Sequence, residues 1–423
     1  MARVLLIRQG HVPYDPRVKR ALDALVAEGH EVDVICERTP GDLPREEMPG
    51  VVIRRLAVPG GTGRGLSKLG HVVQYGLFML MAFLLASWLH LRRRYRLVEV
   101  HSLPDTLVFT ALLPRLTGTP VLLDLQEPMP EFFASRFGVG MDHPAVRVIA
   151  GLEQAAIRFA DRVLTCTDQM RAAFVRRGTP AAKVTVILNA ANEEVFDPSR
   201  FPPRPRSPGR FDLICHGTIE ERYGHDTVVR ALALLRDRIP ELRLRVFGDG
   251  SFRARLQALV GELGLDDRVW FSQGFVPIQQ VVAAIADSDV GVVAMRRDVF
   301  RDLTHCDKMF DFITMRRPQL VSRTAAVEAY FDDDCFELFD ASDVEDLARA
   351  IQRLHDSPQR CEQLVARAAR ANEAYRWPIQ REVYLQVVRG LLSAPRRSPD
   401  RTAGMESAPV VEAGVDSASP GAP

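Results

Sequence analysis

Apolar residues in this chain fall into short buried-type runs, separated by longer segments that are apolar on one helical face only. Val4 to Ile7 reads as a parallel strand covered on both sides, and Val32 to Ile35 as a second. Between them Asp15 is placed as an N-cap, Pro16 as the first helical residue and Gly29 as the stop. Further strands are predicted at 51–56, 97–100, 120–124, 162–165 and 184–187, with helices between them. A stretch rich in proline and arginine at 197–210 then breaks the rhythm. A second alternating unit starts at Phe211, with strands near 211–215, 242–247, 268–272, 289–293, 319–322 and 335–338. Its helices include 226–236 and 343–355, the latter after Ser342 with Glu345 three residues on. A last helical segment, 360–393, must bend or restart at Trp377-Pro378.

This alternation predicts an α/β protein made of two Rossmann-like doubly wound domains facing a central cleft. The expected division is 1–198, a linker at 199–210, and 211–377, with a helix at 378–393 packing back on the first domain. From 394 to 423 the chain is Pro, Ser, Gly, Ala and charge without apolar period, and is expected to be disordered.

One segment fits either of two roles. Residues 69–91 carry no formal charge, and at ~1.5 Å per residue they are long enough for a bilayer core of ~30 Å. A crossing would put strands 4–7 and 97–100 on opposite sides of a membrane, although one parallel sheet needs both. What remains is a helix packed on the sheet, or a partly exposed helix dipping into an anionic membrane surface, with Trp88 and the run Arg92 to Arg96 at headgroup level. The second role predicts a cytoplasmic protein peripheral to the inner face of the membrane. The N-terminal residues are expected to open a strand and not a secretory leader.

Composition narrows the classes further. With 423 residues, 47% hydrophobic and 26% charged, the chain is long enough for two globular cores. A net charge of +1 argues against nucleic acid as a partner. The six cysteines, at 36, 166, 215, 306, 335 and 361, have no zinc spacing, so no metal site is expected and the thiols are read as isolated.

The candidate chemistry lies at the carboxyl ends of the strands. Lys308 and Asp311 lie three apart at a helix start and share a face, which suits a ligand with phosphates and hydroxyls, or else an exposed ion pair. Lys308-Met309-Phe310-Asp311-Phe312 followed by the strand at 319–322 resembles the Lys-x-x-Glu-Tyr helix and following strand of family-four retaining glycosyltransferases, with Asp-Phe in place of Glu-Tyr. In the same order, His216-Gly217-Thr218 to Arg222-Tyr223-Gly224 is similar to the family's glycine-rich loop, in which the basic residue directly precedes the last glycine. Phe247-Gly248-Asp249-Gly250 resembles its Gly-x-Gly turn, and Gly274-Phe275 the base-holding segment, where Phe275 is a loop aromatic or a core residue. In the first domain His101 closes a strand in the family's His-x-His segment with Glu99 replacing the first histidine. Asp124-Leu125-Gln126-Glu127 resembles Asp-x-His-Asp/Glu, with Gln126 where the family has its cleft histidine. Leu303 stands where some members carry a second carboxylate.

The resemblance implies the GT-B architecture and transfer of a sugar, with retention, from a nucleotide-diphosphate-sugar substrate to a saccharide or lipid-linked acceptor in cell-surface polysaccharide or glycolipid synthesis. It implies no metal and no cofactor. Lys308 and Arg222 would meet the departing diphosphate. Gly217, Thr218, Gly248, Gly250, Gly274, Phe275 and Asp311 would hold the donor. Gln126 and Glu127 would act across the cleft. Gly10, Arg17 and His101 would face the acceptor, together with loops at 10–17 and 59–68. Glutamine keeps a histidine's hydrogen bonds and loses its titration. That exchange, with Asp311, keeps open a catalytically impaired nucleotide-sugar-binding partner subunit; a GT-B-fold sugar epimerase is a second alternative.

Overall fold

The computed structural model describes residues 1–12, 15–58 and 68–395. The expected disordered tail, apart from its first two residues, and most of the loop at 59–68 lie outside the described residues. Strands β1 (Arg3–Arg8), β2 (Glu31–Glu37), β3 (Arg45–Met48), β4 (Val51–Leu56), β5 (Leu97–His101), β6 (Val121–Leu125), β7 (Arg162–Thr165) and β8 (Val184–Val186) form one sheet. Its order is β3-β4-β2-β1-β5-β6-β7-β8, and only the β3 edge is antiparallel. Arg-Glu-Glu-Met carries no apolar alternation, so β3 was not legible in the sequence; pairing with β4 makes it a strand.

The second sheet holds β9 (Phe211–His216), β10 (Leu242–Phe247), β11 (Val269–Phe271), β12 (Val290–Val293), β13 (Gln319–Ser322) and β14 (Glu337–Phe339). It is ordered β11-β10-β9-β12-β13-β14 and its strand pairs are all parallel. Each sheet is buried between helical layers, so its strands read as continuous apolar runs. In both sheets the order reverses beside a central strand, which opens a crevice at the carboxyl edge.

The chain passes from the first lobe to the second earlier than the expected boundary at 198. Ile187 still packs in the first lobe, whereas Ala191 and Phe196 join the second lobe's core. Residues of the proline-rich stretch are tied to the second lobe: Arg204 pairs with Asp287 and Asp289. The chain then returns. The helix Trp377–Ser393 buries Tyr384, Leu385, Val388 and Leu391 among Val4, Leu6, Leu22 and Leu25 of the first lobe.

The helix Lys68–Arg93 buries Phe78, Ala82, Ala86 and Leu89, spaced at helical intervals, against the first sheet. Its outer face leaves Val73, Leu80, Leu84, Trp88 and Leu91 each at least 48% exposed. It is long and apolar enough to cross a bilayer. However, β1, which precedes it, and β5, which follows it, are adjacent parallel strands (Val4 opposite Leu97), so a crossing is ruled out. The expected headgroup cluster needs correcting at two positions. Tyr95 is fully buried and donates to Asp33 (2.7 Å), and Arg93 pairs with the same carboxylate at 3.0 Å. Arg92, Arg94 and Arg96 remain exposed, with Arg92 stacked 4.1 Å from the Trp88 ring centre.

Candidate active site

A cavity of about 440 Å³ opens between the lobes. From the second lobe it is lined by Arg222, Tyr223, Phe300, Arg301, Thr304, His305, Cys306, Asp307 and Lys308. From the first lobe it is lined by Asp15, Pro16, Arg17, Arg20, Gln126, Glu127, Cys166 and Asn189. The helix Asp307–Thr314 sinks Met309, Phe310, Phe312 and Ile313 into the core, and this turns Lys308 toward the cleft. The Lys308 ammonium lies 3.9 Å from the centre of the Tyr223 ring. Gly217, at φ +94°, makes room for it: a Cβ there would come within 2.5 Å of the lysine Cε.

Asp311 is close to His216, Oδ2 to Nε2 at 3.7 Å. Burial, reinforced by Lys308, drops the His216 imidazole to about 3, so it is neutral. Burial and the neighbouring Asp307 push the Asp311 carboxyl well above its usual range. Such a carboxyl both donates to and accepts from sugar hydroxyls.

Arg222 sits on a single turn, Glu221–Tyr223, closed by Gly224 in the left-handed region. A side chain at Gly224 would collide with the Ala294 carbonyl. The Arg222 guanidinium packs over Tyr223 (5.5 Å) and over Phe132 of the first lobe (5.7 Å), and its Nε has no hydrogen-bond partner. Across the cavity the Gln126 amide nitrogen and one Glu127 carboxyl oxygen are also buried without a partner. Burial raises the Glu127 carboxyl, against the pull of Arg301, Arg222 and Arg8. The structure therefore brings Lys308, Arg222, Gln126 and Glu127 to one cavity.

Several expected donor contacts lie elsewhere. None of Gly217, Thr218, Gly248, Gly250, Gly274, Phe275 and Asp311 is in this cavity's lining, although Gly217 packs directly on Lys308. Gly248 and Gly250 interlock the loops after β9 and β10: side chains there would strike the carbonyls of Gly217 and Ile219. Their requirement for glycine is thus explained by loop packing. Thr218 is exposed, and Phe275 is 61% exposed, which rules out its core role.

The acceptor-side expectations need correction. His101 is fully buried and cannot touch an acceptor. It lies between Glu99 (3.0 Å) and Asp124 (3.1 Å), behind the site. Burial alone would lower its pKa, but the two carboxylates outweigh that and hold it up at about 9. Tyr384 of the returning helix donates to Glu99 at 2.6 Å. Arg17 lines the cavity, but its head is occupied. It donates twice to Asp124 (2.7 and 2.9 Å), to the Ile187 carbonyl (2.9 Å) and to Asn189 (3.0 Å). Gly10 is outside the cavity lining, and its carbonyl accepts from the Glu37 amide. Leu303, the missing carboxylate position, packs against the first lobe's core, and its carbonyl accepts from Thr167 at 2.5 Å. Local pattern does not single out Arg20, Asn189, Tyr223 or Arg301 as cavity residues; Asp307, next to Lys308, has a local cue.

Two doubly wound lobes with a cationic cleft between their strand ends are the GT-B architecture. Sucrose-phosphate synthase from Thermosynechococcus elongatus shares this fold, with a TM-score of 0.73 at 19% identity over 93% of this chain and all of that one. A Glycosyl transferase 4-like domain matches residues 14–190, and a Glycosyl transferases group 1 domain matches residues 210–357. The chain belongs to the family-four glycosyltransferases, which use nucleotide-sugar donors. It is 27% identical over 393 residues to the D-inositol 3-phosphate glycosyltransferase of Thermomonospora curvata, covering 86% of this chain and 88% of that protein. It is also 27% identical over 177 residues to the GDP-mannose-dependent alpha-(1-6)-phosphatidylinositol monomannoside mannosyltransferase of Mycolicibacterium smegmatis. That match spans 39% of this chain and 46% of the relative.

Proposed function

We propose that the protein is a retaining hexosyltransferase that moves a sugar from a nucleotide-diphosphate donor to a saccharide or lipid-linked acceptor, in cell-surface polysaccharide or glycolipid synthesis. The observation that carries this reading is the pair Lys308 and Arg222. Both face the interlobe cavity, and among the described residues neither has a carboxylate partner. Fixed cations in a recess between the lobes favour a diphosphate whose charge grows as it leaves. In this reading they do the work a metal does elsewhere, and no cofactor takes part. Asp311 holds donor hydroxyls. Gln126 orients the sugar from the opposite wall, as an amide hydrogen-bonds without taking a proton. Retention rests on the family pattern around Lys308 and Asp311.

We place the enzyme in the cytoplasm, peripheral to an anionic inner membrane face. The apolar outer stripe of the helix Lys68–Arg93, flanked by exposed Arg92 and Arg94, supports that placement. The lipid acceptor named for the Mycolicibacterium relative agrees with it.

The test is a thermal-shift screen with UDP, GDP, ADP and their sugars. One nucleoside diphosphate should stabilise the wild type, and Lys308→Ala should lose that shift with its fold intact, because a charge-assisted contact is worth about 1.5–3 kcal/mol. An unchanged shift removes Lys308 from the site. Gln126 favours one second reading, a binding partner subunit; binding without transfer or donor hydrolysis would select it. An altered sugar nucleotide formed without acceptor would instead select the epimerase.

A further inference from the structure

A third cation stands beside the two already described. Arg301 is 7% exposed and lines the interlobe cavity. Its guanidinium lies 5.3 Å from the Tyr223 ring centre and 4.8 Å from that of Phe300. Its Nε is buried without a hydrogen-bond partner, and among the described residues no carboxylate lies within ion-pair distance of it, although Glu127 across the cavity is near enough to feel its charge. Tyr223 therefore has Lys308, Arg222 and Arg301 all packed around one ring, at 3.9, 5.5 and 5.3 Å. Three like charges gathered about one aromatic ring, with no carboxylate in ion-pair contact and only the burial-raised Glu127 carboxyl nearby, are mutually repulsive and costly to desolvate. A ring quadrupole offsets only part of that cost. The arrangement is suited to an anion of higher charge than two cations balance.

Arg301 also has a fixed place between the lobes. It sits on the turn Arg301–Leu303, whose Leu303 carbonyl is held by Thr167 of the first lobe. It is therefore at the seam between the lobes, as Arg222 is through its packing on Phe132. Resting on the glycosyltransferase reading above, we propose that Arg301 is a third diphosphate-binding cation, engaged mainly as the glycosidic bond breaks. In that step the bond from the anomeric carbon to the distal phosphate oxygen opens, and its electron pair stays on the oxygen. The carbon is taken by the acceptor hydroxyl oxygen, and the hydroxyl proton passes to solvent. The bound donor carries about two negative charges on its diphosphate and the released nucleoside diphosphate about three, because a freed terminal phosphate takes a second charge near neutral pH. Lys308 and Arg222 match the first state. Arg301 completes the match to the second, and a contact made only there raises turnover without tightening donor binding.

Calorimetric titration separates the two states. Wild type, Arg301→Met and Arg301→Lys are titrated with UDP and UDP-glucose, and with GDP and GDP-mannose. For the pair that binds wild type, Arg301→Met should weaken the free diphosphate by at least about tenfold, the worth of one charge-assisted contact, and the sugar nucleotide by less than about threefold. Arg301→Lys keeps a cation on the Tyr223 ring and should recover most of the loss, which guards against a folding artefact. In turnover, kcat should fall with donor KM unchanged. Equal losses for both ligands, no loss for either, or an effect confined to acceptor KM overturns the assignment. A wild type that binds neither pair overturns the glycosyltransferase reading itself, and this assignment with it.

Discussion

Replacing Arg17 by methionine tests whether this residue is part of the cavity's chemistry or of the wall behind it. Arg17 and Asp124 are 12% and 2% exposed, and the pair closes a buried row that runs Tyr384, Glu99, His101, Asp124, Arg17. Two carboxylates there face one imidazolium and one guanidinium. Removing the guanidinium leaves a buried negative charge without its partner and unties the Ile187 carbonyl and Asn189. Breaking a buried pair from one side costs about 3–5 kcal/mol, a large share of the about 5–15 kcal/mol that holds a typical protein folded. Asp124→Asn removes the stranded charge, so the double variant should recover much of the loss, with a coupling energy of about 2–3 kcal/mol. The assay is urea denaturation of wild type, both single variants and the double variant at pH 7. A cost below about 1 kcal/mol for Arg17→Met, or additive single effects, refutes the structural role. Unchanged stability with a raised acceptor KM would return Arg17 to the acceptor.

Two further outcomes are expected. The His101 imidazole is held near 9, above the ordinary value of about 6.5. The stability it contributes, on the order of 3 kcal/mol, is therefore complete below pH 6.5 and is lost as pH rises through 9; urea midpoints should fall over that window, and a flat profile that His101→Gln leaves unchanged would exclude the effect. Leu80→Glu combined with Leu84→Glu, on positions 54% and 58% exposed, should abolish co-sedimentation with vesicles rich in anionic lipid at unchanged Tm; binding that survives the pair would mean the stripe does not meet a membrane.

The strands were legible because sheets covered on both faces write themselves as apolar runs, as at Val4 to Ile7 and Leu320 to Val321. Lys308 was legible because its neighbours Met309, Phe310, Phe312 and Ile313 fix which way the helix faces. His101 was misplaced for a reason of register. Glu99 and His101 share one face of β5, and His101 stands opposite Asp124 on β6, so the buried row follows from strand order, which local pattern does not carry. Arg301 and Tyr223 were missed because a buried guanidinium reads in sequence like any surface arginine. The edge strand β3 was missed because it owes its form to β4 alone.

The returning helix has a mechanical consequence. The chain crosses between lobes near Ile187–Ala191 and again near Tyr375–Trp377, and the two crossings lie side by side. Gln380 accepts from the Leu188 amide at 2.9 Å, and Arg376 pairs with Glu193 at 2.6 Å. Two pins on one line permit a swing and resist sliding or twisting. Near the pins, Arg17 and Asn189 travel little. The Ser135–Asp298 and Thr167–Leu303 hydrogen bonds also join the lobes, so a swing about the pins works against them.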